Sequence, residues 1–151
     1  MSRSHYPAPP LPRAGQLRAF WRAPASPTAL AWYLARAAQA HDGPLLVVAR
    51  DTHGANQIEA DLRVLLGDDP ALPVVAFPDW ETLPYDRFSP HPDIISQRLA
   101  ALHRLPGLKR GLVVVPVQTL MQRLAPTQYV IGGSFDLQVG QQLDLEAEKR
   151  R

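Results

Sequence analysis

The chain has no cysteine, only two lysines and no long apolar run, and each of these features excludes some classes of protein. Without cysteine there is neither a disulfide framework nor a thiolate metal site, and the composition fits a reducing compartment, so we expect a cytoplasmic protein. No stretch approaches the roughly 18 apolar residues that span a bilayer, so we expect no membrane partner. The 151 residues, 46% of them hydrophobic, predict one globular domain with the start of a second.

A phosphate-binding loop is also missing. Such a loop needs glycine for close backbone approach and a lysine that reaches the β- and γ-phosphates. Lys109 and Lys149 neither follow a glycine nor precede a serine or threonine. The loop before the first predicted helix has no glycine or lysine, and its prolines have no N–H to donate to phosphate; it consists of Arg22, Ala23, Pro24, Ala25, Ser26, Pro27 and Thr28. We therefore predict a chain that does not hydrolyse ATP and uses no cofactor.

Other catalytic centres find no support in the sequence. The third predicted strand runs into residues 116–119, where no acid is present to hold magnesium. His91, Asp93 and His103 have no recognised metal-ligand spacing, so we predict no metal site. Carboxylates at 79, 81 and 86 lie in a loop, where acids usually are solvated or form caps. A stand-alone enzyme is therefore a weaker hypothesis than a scaffold or a DNA-binding module, and no catalytic residue is predicted.

Helix and strand signals alternate through the middle of the chain. Ser26 followed by Pro27 is typical of a helix start, with proline at the first helical position. Short, wholly apolar runs at 45–49, 74–77 and 112–115 are typical of buried parallel strands. Apolar residues at helical spacing predict helices at 26–40, up to Gly67, around 95–105 and at 118–124. This alternation predicts an α/β fold, a three-layer sandwich with a mainly parallel sheet.

Three regions are expected. Residues 1–25 form an N-terminal arm, because four prolines at 7–12 prevent a helix there. Residues 26–131 form the α/β domain. Residues 132–151 begin a second, α+β domain: polar and apolar residues alternate over 134–139 as in a half-exposed antiparallel strand, and a helix starting at Asp144 stops in mid-course. We therefore expect a truncated second domain.

Residues 77–96 form an unusual connection between a predicted strand and a predicted helix. The segment holds four prolines, four aromatic residues and four carboxylates. Prolines stiffen a backbone and large rings anchor it, so the segment is predicted to be an ordered loop. Asp93 is predicted to stabilise the start of the following helix through the helix dipole.

Charge is distributed in blocks. Residues 94–135 contain five basic side chains and no acid. An acid-free basic block attracts phosphate backbones, so a DNA-binding module is one function that we consider, as the alternative to a scaffold. Its candidate contacts are Arg98, Arg104, Lys109, Arg110 and Arg123. No basic run is as dense as a typical nucleic-acid patch, which favours an ordinary solvated surface.

The aromatic segment resembles the N-terminal region of a bacterial protein family, the transcription-repair coupling factors (Mfd). The resemblance is carried by DWETLPYD at 79–86, FSPH at 88–91 and DIIS at 93–96, and extends through VVPV at 114–117 and TLMQR at 119–123. It is strong over about residues 75–125 and is one of pattern only over 15–75.

The resemblance implies a UvrB-like module with a degenerate P-loop NTPase-like fold, in which residues 22–28 replace a working phosphate loop. The family's parent protein is an ATP-dependent DNA translocase that acts on RNA polymerase stalled at DNA damage and recruits the repair protein UvrA. UvrA binds mainly through the domain that begins near residue 133. The implied function is therefore a non-catalytic scaffold whose partners are UvrA, other domains of the same motor and, through the parent protein, RNA polymerase and DNA.

Two interpretations of the aromatic segment remain open. In one, Trp80, Tyr85 and Phe88 are anchors that cover the core; in the other, the segment docks a partner directly. The candidate docking or architectural residues are Trp80, Glu81, Leu83, Pro84, Tyr85, Asp86, Phe88, Asp93 and Arg98.

Overall fold

The structure, a computed structural model, describes residues 11–12, 15–82, 86–132 and 140. Helices and strands alternate as the sequence predicts. In chain order they are α1 (Pro27–Ala40), β1 (Pro44–Ala49), α2 (Thr52–Leu66), β2 (Val74–Ala76), α3 (Pro92–Arg104), a 3-10 turn (Leu105–Gly107), β3 (Gly111–Pro116), α4 (Val117–Leu120) and α5 (Thr127–Gly132).

The three strands form one parallel sheet in the order β1-β3-β2. The central strand β3 is buried along its whole length, as its unbroken apolar sequence predicts. At its start, Gly111 has a φ of 123°, and an added Cβ would collide with the Pro73 carbonyl oxygen. This close approach lets the Leu112 N–H donate to that same oxygen at 3.0 Å, which fixes β2 against β3.

Helices cover both faces of the sheet and make the predicted three layers. On one face, α1 and α2 pack through Ala31, Ala38 and Leu62 against alternate β3 residues such as Val114. On the other face, Ala101 of α3 belongs to a second cluster, with Val75, Phe77, Val113 and Val115. Both clusters are apolar, and they hold the carboxyl ends of β2 and β3 side by side.

Helix boundaries follow local capping chemistry. The Ser26 side chain accepts a hydrogen bond from the Ala29 N–H at 3.5 Å and starts α1. Asp51 caps α2 by accepting from the Gly54 N–H at 2.7 Å, and this bond is the main cause that lowers the pKa of Asp51. Gly67, with φ of 63°, ends α2.

Two helix predictions were inaccurate. Instead of running to Leu124, α4 ends at Leu120, because the Met121 and Gln122 N–H groups turn back to carbonyls three residues earlier. The helix α5 was not predicted. The predicted strand at 134–139 and helix from Asp144 lie outside the described residues. No helix within the described ranges is long and apolar enough to cross a membrane.

Candidate docking site

The aromatic segment leaves the sheet at the carboxyl end of β2. The Phe77 N–H still donates to the Val114 carbonyl at 2.9 Å, so the ladder continues one residue beyond the strand. Pro78, Asp79 and Trp80 follow and are half-buried. At Glu81 the φ of 57° is left-handed, which is uncommon for a residue other than glycine. The chain therefore turns sharply there, and the neighbouring contacts must hold the turn.

Arg98 of α3 is the centre of those contacts. Its guanidinium carbon lies 4.3 Å from the centre of the Phe77 ring and 4.1 Å from that of Trp80. A terminal nitrogen also donates to the Pro78 carbonyl at 2.5 Å. The side chain thus links the start of the segment to α3 through two cation–π contacts and one hydrogen bond.

The environment of Arg98 explains why a cation is tolerated there. Only 2% of the residue is exposed, and this burial lowers the pKa of the guanidinium, while the nearby Asp79 carboxylate acts in the opposite direction. Arginine nevertheless keeps its charge in proteins, and its planar face suits stacking between rings. The segment and α3 are therefore coupled by a buried charge whose partners all lie within residues 77–80.

Asp79 links the same segment to the region after β3. Its Oδ1 accepts hydrogen bonds from the Thr119 hydroxyl at 3.1 Å and from the Gln122 side-chain amide at 2.6 Å. Thr119 is buried, and Gln122 comes directly after the turn that closes α4. Residues 77–80 are thus held by two separate elements, α3 and the α4 turn.

The second part of the segment lies beyond these contacts. Leu83, Pro84 and Tyr85 lie outside the described residues. Phe88 is 82% exposed, so it does not pack as a core-covering anchor, and its neighbours Asp86 and Arg87 are exposed as well. We call residues 77–82 the anchored half and residues 86–91 the exposed half.

Asp93 lies in the first turn of α3, where the sequence placed it. Its carboxylate is 3.5 Å from His91 Nδ1, and that nitrogen accepts a hydrogen bond from the Asp93 N–H at 3.3 Å as the helix cap. The pair therefore has a helix-starting role. Among the described residues, no group of three histidine, aspartate or glutamate side chains has metal-site geometry.

The loop at residues 22–28 faces the start of α2 across a cleft of about 660 Å³. Pro24 and Pro27, which have no N–H, both line it. On the opposite wall, the Asp51 carboxylate already accepts a hydrogen bond from the Gly54 N–H at the start of α2. The N-terminus of a helix usually attracts phosphate, but here the Asp51 carboxylate occupies that position.

Two of the five basic side chains in residues 94–135 make contacts within the fold. Arg98 is buried, and Arg110 donates to the carbonyls of Ala38, Gln39 and His41 at 3.4, 3.1 and 3.3 Å. These bonds satisfy carbonyls at the C-terminal end of α1. The DNA-binding alternative thus loses Arg98 altogether and has Arg110 committed to the fold.

Sequence reasoning identified Arg98 but not its burial, and it missed the bonds that join Asp79 to Thr119 and Gln122. A signal for the burial exists: Arg98 follows Ile95 by three residues and precedes Ala101 by three, so it lies on the apolar stripe of α3. The Asp79 contacts join residues 40 and 43 positions apart, and nothing in local spacing indicates them.

Comparison with known proteins gives a consistent result. No protein-family model matches the chain. It is 40% identical over 119 residues to the transcription-repair-coupling factor of Escherichia coli, covering 79% of this chain and 10% of that protein. It is 51% identical over 85 residues to that of Haemophilus influenzae, covering 56% of this chain and 7% of that protein. With the factor of Mycobacterium tuberculosis the identity is 41% over 100 residues, 62% of this chain and 8% of that protein.

The chain therefore spans about a tenth of the length of these relatives. The first of these alignments extends well beyond the aromatic segment, since it covers most of the chain. By this similarity, the chain belongs to the transcription-repair-coupling factor family.

Proposed function

We propose that this chain is a non-catalytic module of a transcription-repair coupling factor. In this proposal it is a scaffold through which nucleotide excision repair proteins, UvrA among them, are recruited to RNA polymerase stalled at DNA damage. The parent protein would be an ATP-dependent DNA translocase whose motor lies elsewhere in its sequence. The module would have a UvrB-like fold, with the UvrA-binding domain starting near residue 132.

The observation that carries the non-catalytic part is the chemistry of residues 22–28. Prolines replace backbone donors in this loop, it contains no lysine, and the facing helix start is capped by a carboxylate. Each of these features opposes phosphate binding independently. Together they argue against ATP binding by this loop.

The test is nucleotide binding by the 151-residue chain. Isothermal titration calorimetry with MgATP should give no heat of binding. In a phosphate-release assay, the rate of ATP hydrolysis with the chain should equal the rate in buffer alone. Micromolar ATP affinity would overturn the proposal. Asp51→Asn is a useful companion variant, because it removes the repelling charge but keeps the cap; it should not create ATP binding, since the loop still lacks donors.

We further propose that the exposed half of the aromatic segment docks a protein partner. Phe88 presents a phenyl ring to solvent with 82% of the residue exposed. Aromatic rings are enriched at protein interfaces, so an exposed ring next to an anchored segment is a candidate contact. The anchored half would hold this ring in a fixed position, which reduces the entropy lost on binding.

Phe20 provides a matched control for this docking role, because it is a second phenylalanine that is 86% exposed but lies outside the segment. Binding of the chain to immobilised, purified UvrA should weaken at least several-fold in Phe88→Ala and stay unchanged in Phe20→Ala. Equal loss in both variants would indicate non-specific apolar contact. No binding by the unmodified chain would overturn a direct UvrA contact at this position.

A further inference from the structure

The strand β2 has an open edge. It pairs with β3 on one side, and no strand of the described chain lies on the other. Along a strand, backbone groups point alternately to the two sides. The Pro73 carbonyl and the Phe77 N–H both bond to β3, so Val75 also faces β3, and the N–H and C=O groups of Val74 and Ala76 point to the open side.

A groove follows this open edge. It has a volume of about 510 Å³, and β2 residues form its floor. One wall is a stripe of α2 at helical spacing, Asn56, Glu59 and Arg63, and the other is a stripe of α3, Gln97, Ala100, Ala101 and Arg104. The small side chains at 76, 100 and 101 leave room directly beside the edge. The groove therefore lies beside a strand whose outward backbone groups, those of Val74 and Ala76, make no bond to β3.

The charges of the walls are unequal. Arg63 is paired with Glu59 at 2.8 Å within α2, so these two charges cancel locally. Arg104 lies opposite, near the end of α3, and is exposed. The groove thus has one excess positive charge, on the α3 wall. Asn56 and Gln97 add side-chain amides that can donate or accept.

We propose that the β2 edge groove binds an extended polypeptide segment that carries an acidic side chain. The segment would add a fourth strand next to β2, bonding to the backbone of Val74 and Ala76, with its carboxylate next to Arg104. Main-chain hydrogen bonds supply affinity in such strand addition, and side-chain pockets supply specificity. The proposal uses no residue of the exposed half and stands whether or not the UvrA proposal holds.

A segment from a partner fits this edge better than a second copy of the chain. Helices α2 and α3 line both walls, so an added strand must enter a slot instead of meeting another sheet edge to edge. A copy would also bring the same cation at Arg104, whereas an acidic peptide complements it. With only two outward residues on β2, we expect weak binding, in the micromolar range.

The primary test selects peptides on the 151-residue chain. A displayed library of random 12-residue peptides is enriched on the unmodified chain and counter-selected on Ala76→Pro. Proline removes the outward N–H of Ala76 but no bond to β3, and edge strands tolerate proline at such positions. The proposal expects enrichment of β-branched peptides with Asp or Glu, and failure to enrich any peptide over Ala76→Pro would overturn it.

Variants then locate the binding site of the enriched peptides, made synthetically. Arg104→Glu should weaken acidic peptides roughly tenfold or more, and Ala76→Ser, which keeps the N–H, should bind as the unmodified chain does. Ala100→Arg fills the groove from an exposed helix position and should also abolish binding, so the test survives if Ala76→Pro fails to fold. Equal binding to Ala100→Arg and the unmodified chain would overturn the proposal.

Hydrogen exchange gives a readout that does not depend on affinity. In the free chain the amides of Val74 and Ala76 should exchange faster than that of Val75, and bound peptide should slow the first two. Equal protection of all three amides in the free chain would overturn the edge geometry. A concentration-dependent dimer that Ala76→Pro abolishes would assign the edge to a second copy and overturn the choice of occupant.

Discussion

The two halves of the aromatic segment share residue types but have different surroundings. The anchored half, residues 77–82, contains Trp80 stacked on Arg98 and Asp79 bonded to two side chains. The exposed half, residues 86–91, contains Phe88 in solvent and a cap at His91 that serves only the start of α3. Aromatic rings and carboxylates occur in both, so composition alone does not distinguish them.

The two halves therefore differ in how they pack against the fold. Where a buried cation and a hydrogen-bonded carboxylate are present, the rings are architectural. In the exposed half, the Phe88 ring faces solvent. The architectural role is thus supported for the anchored half, and docking through the exposed half is our proposal. Variants in the first half should change stability, and variants in the second should change binding only.

Among variants of the charged and polar groups that hold the segment, Arg98→Ala should produce the largest effect. It removes the cation from between two rings and leaves a cavity at a nearly fully buried position. We expect a loss of about 3 kcal/mol in the free energy of unfolding. Urea unfolding followed by circular dichroism measures it. In a Trp21→Phe, Trp32→Phe background, Trp80 emission should also shift to the red as the ring loses its contact.

Two further variants separate charge from bulk at this position. Arg98→Lys keeps a cation but not the planar face, so it should recover only part of the loss. Arg98→Met keeps bulk without charge and leaves the Pro78 carbonyl without its donor. If Arg98→Met is as stable as the unmodified chain, the cation does not anchor the segment, and the contrast between the halves fails.

Asp79→Ala should produce the next effect. It leaves the Thr119 hydroxyl and the Gln122 amide without their acceptor, at a cost of about 1–2 kcal/mol. Thermal unfolding measures the loss. Asp79→Asn keeps one acceptor oxygen and should cost less. A loss in Asp79→Ala that persists in full when Thr119→Val and Gln122→Leu are already present would mean that these bonds are not its cause.

The fold was predictable because it depends on local chemistry. Ser26 and Pro27 begin α1, Gly67 ends α2, and apolar runs mark each strand, so the alternation and the parallel sheet followed from spacing. The end of α4 was not predictable. It is set by a backbone turn at Met121 and Gln122, in a stretch whose residue types are compatible with helix.

The site was predictable only in part, for a physical reason. The sequence identifies Trp80 and Arg98 as candidates, yet burial of Arg98 depends on Phe77 and Trp80 meeting it from a different element. The Asp79 bonds depend on the order of strands, which brings the ends of β2 and β3 together. Such contacts belong to the topology of the sheet, so no pattern within one segment contains them.

Acid should have a smaller effect, and it acts outside both halves. The folded-state pKa of Asp51 is below its ordinary value of 3.8, chiefly because the carboxylate accepts the Gly54 N–H. Its stabilisation of α2 is therefore fully present above the unfolded pKa and is lost as the pH falls through the folded pKa. The urea midpoint should fall between about pH 5 and pH 2, where carboxylates titrate. Asp51→Asn keeps the cap without titrating, and its midpoint should fall less; an identical fall would assign the acid sensitivity to other carboxylates.

Phe88→Ala should have the smallest effect on stability and provides the sharpest test of the comparison. Because the ring is 82% exposed, its removal should change the free energy of unfolding by no more than about 0.5 kcal/mol. Phe77→Ala is the opposite case, since the same residue type lies buried in the core cluster with Val113 and should cost about 3–5 kcal/mol. Urea unfolding of the two variants side by side measures the contrast. A loss above about 1 kcal/mol in Phe88→Ala would mean that the ring packs against the fold in solution, and the exposed half would then be a second anchor instead of a docking element.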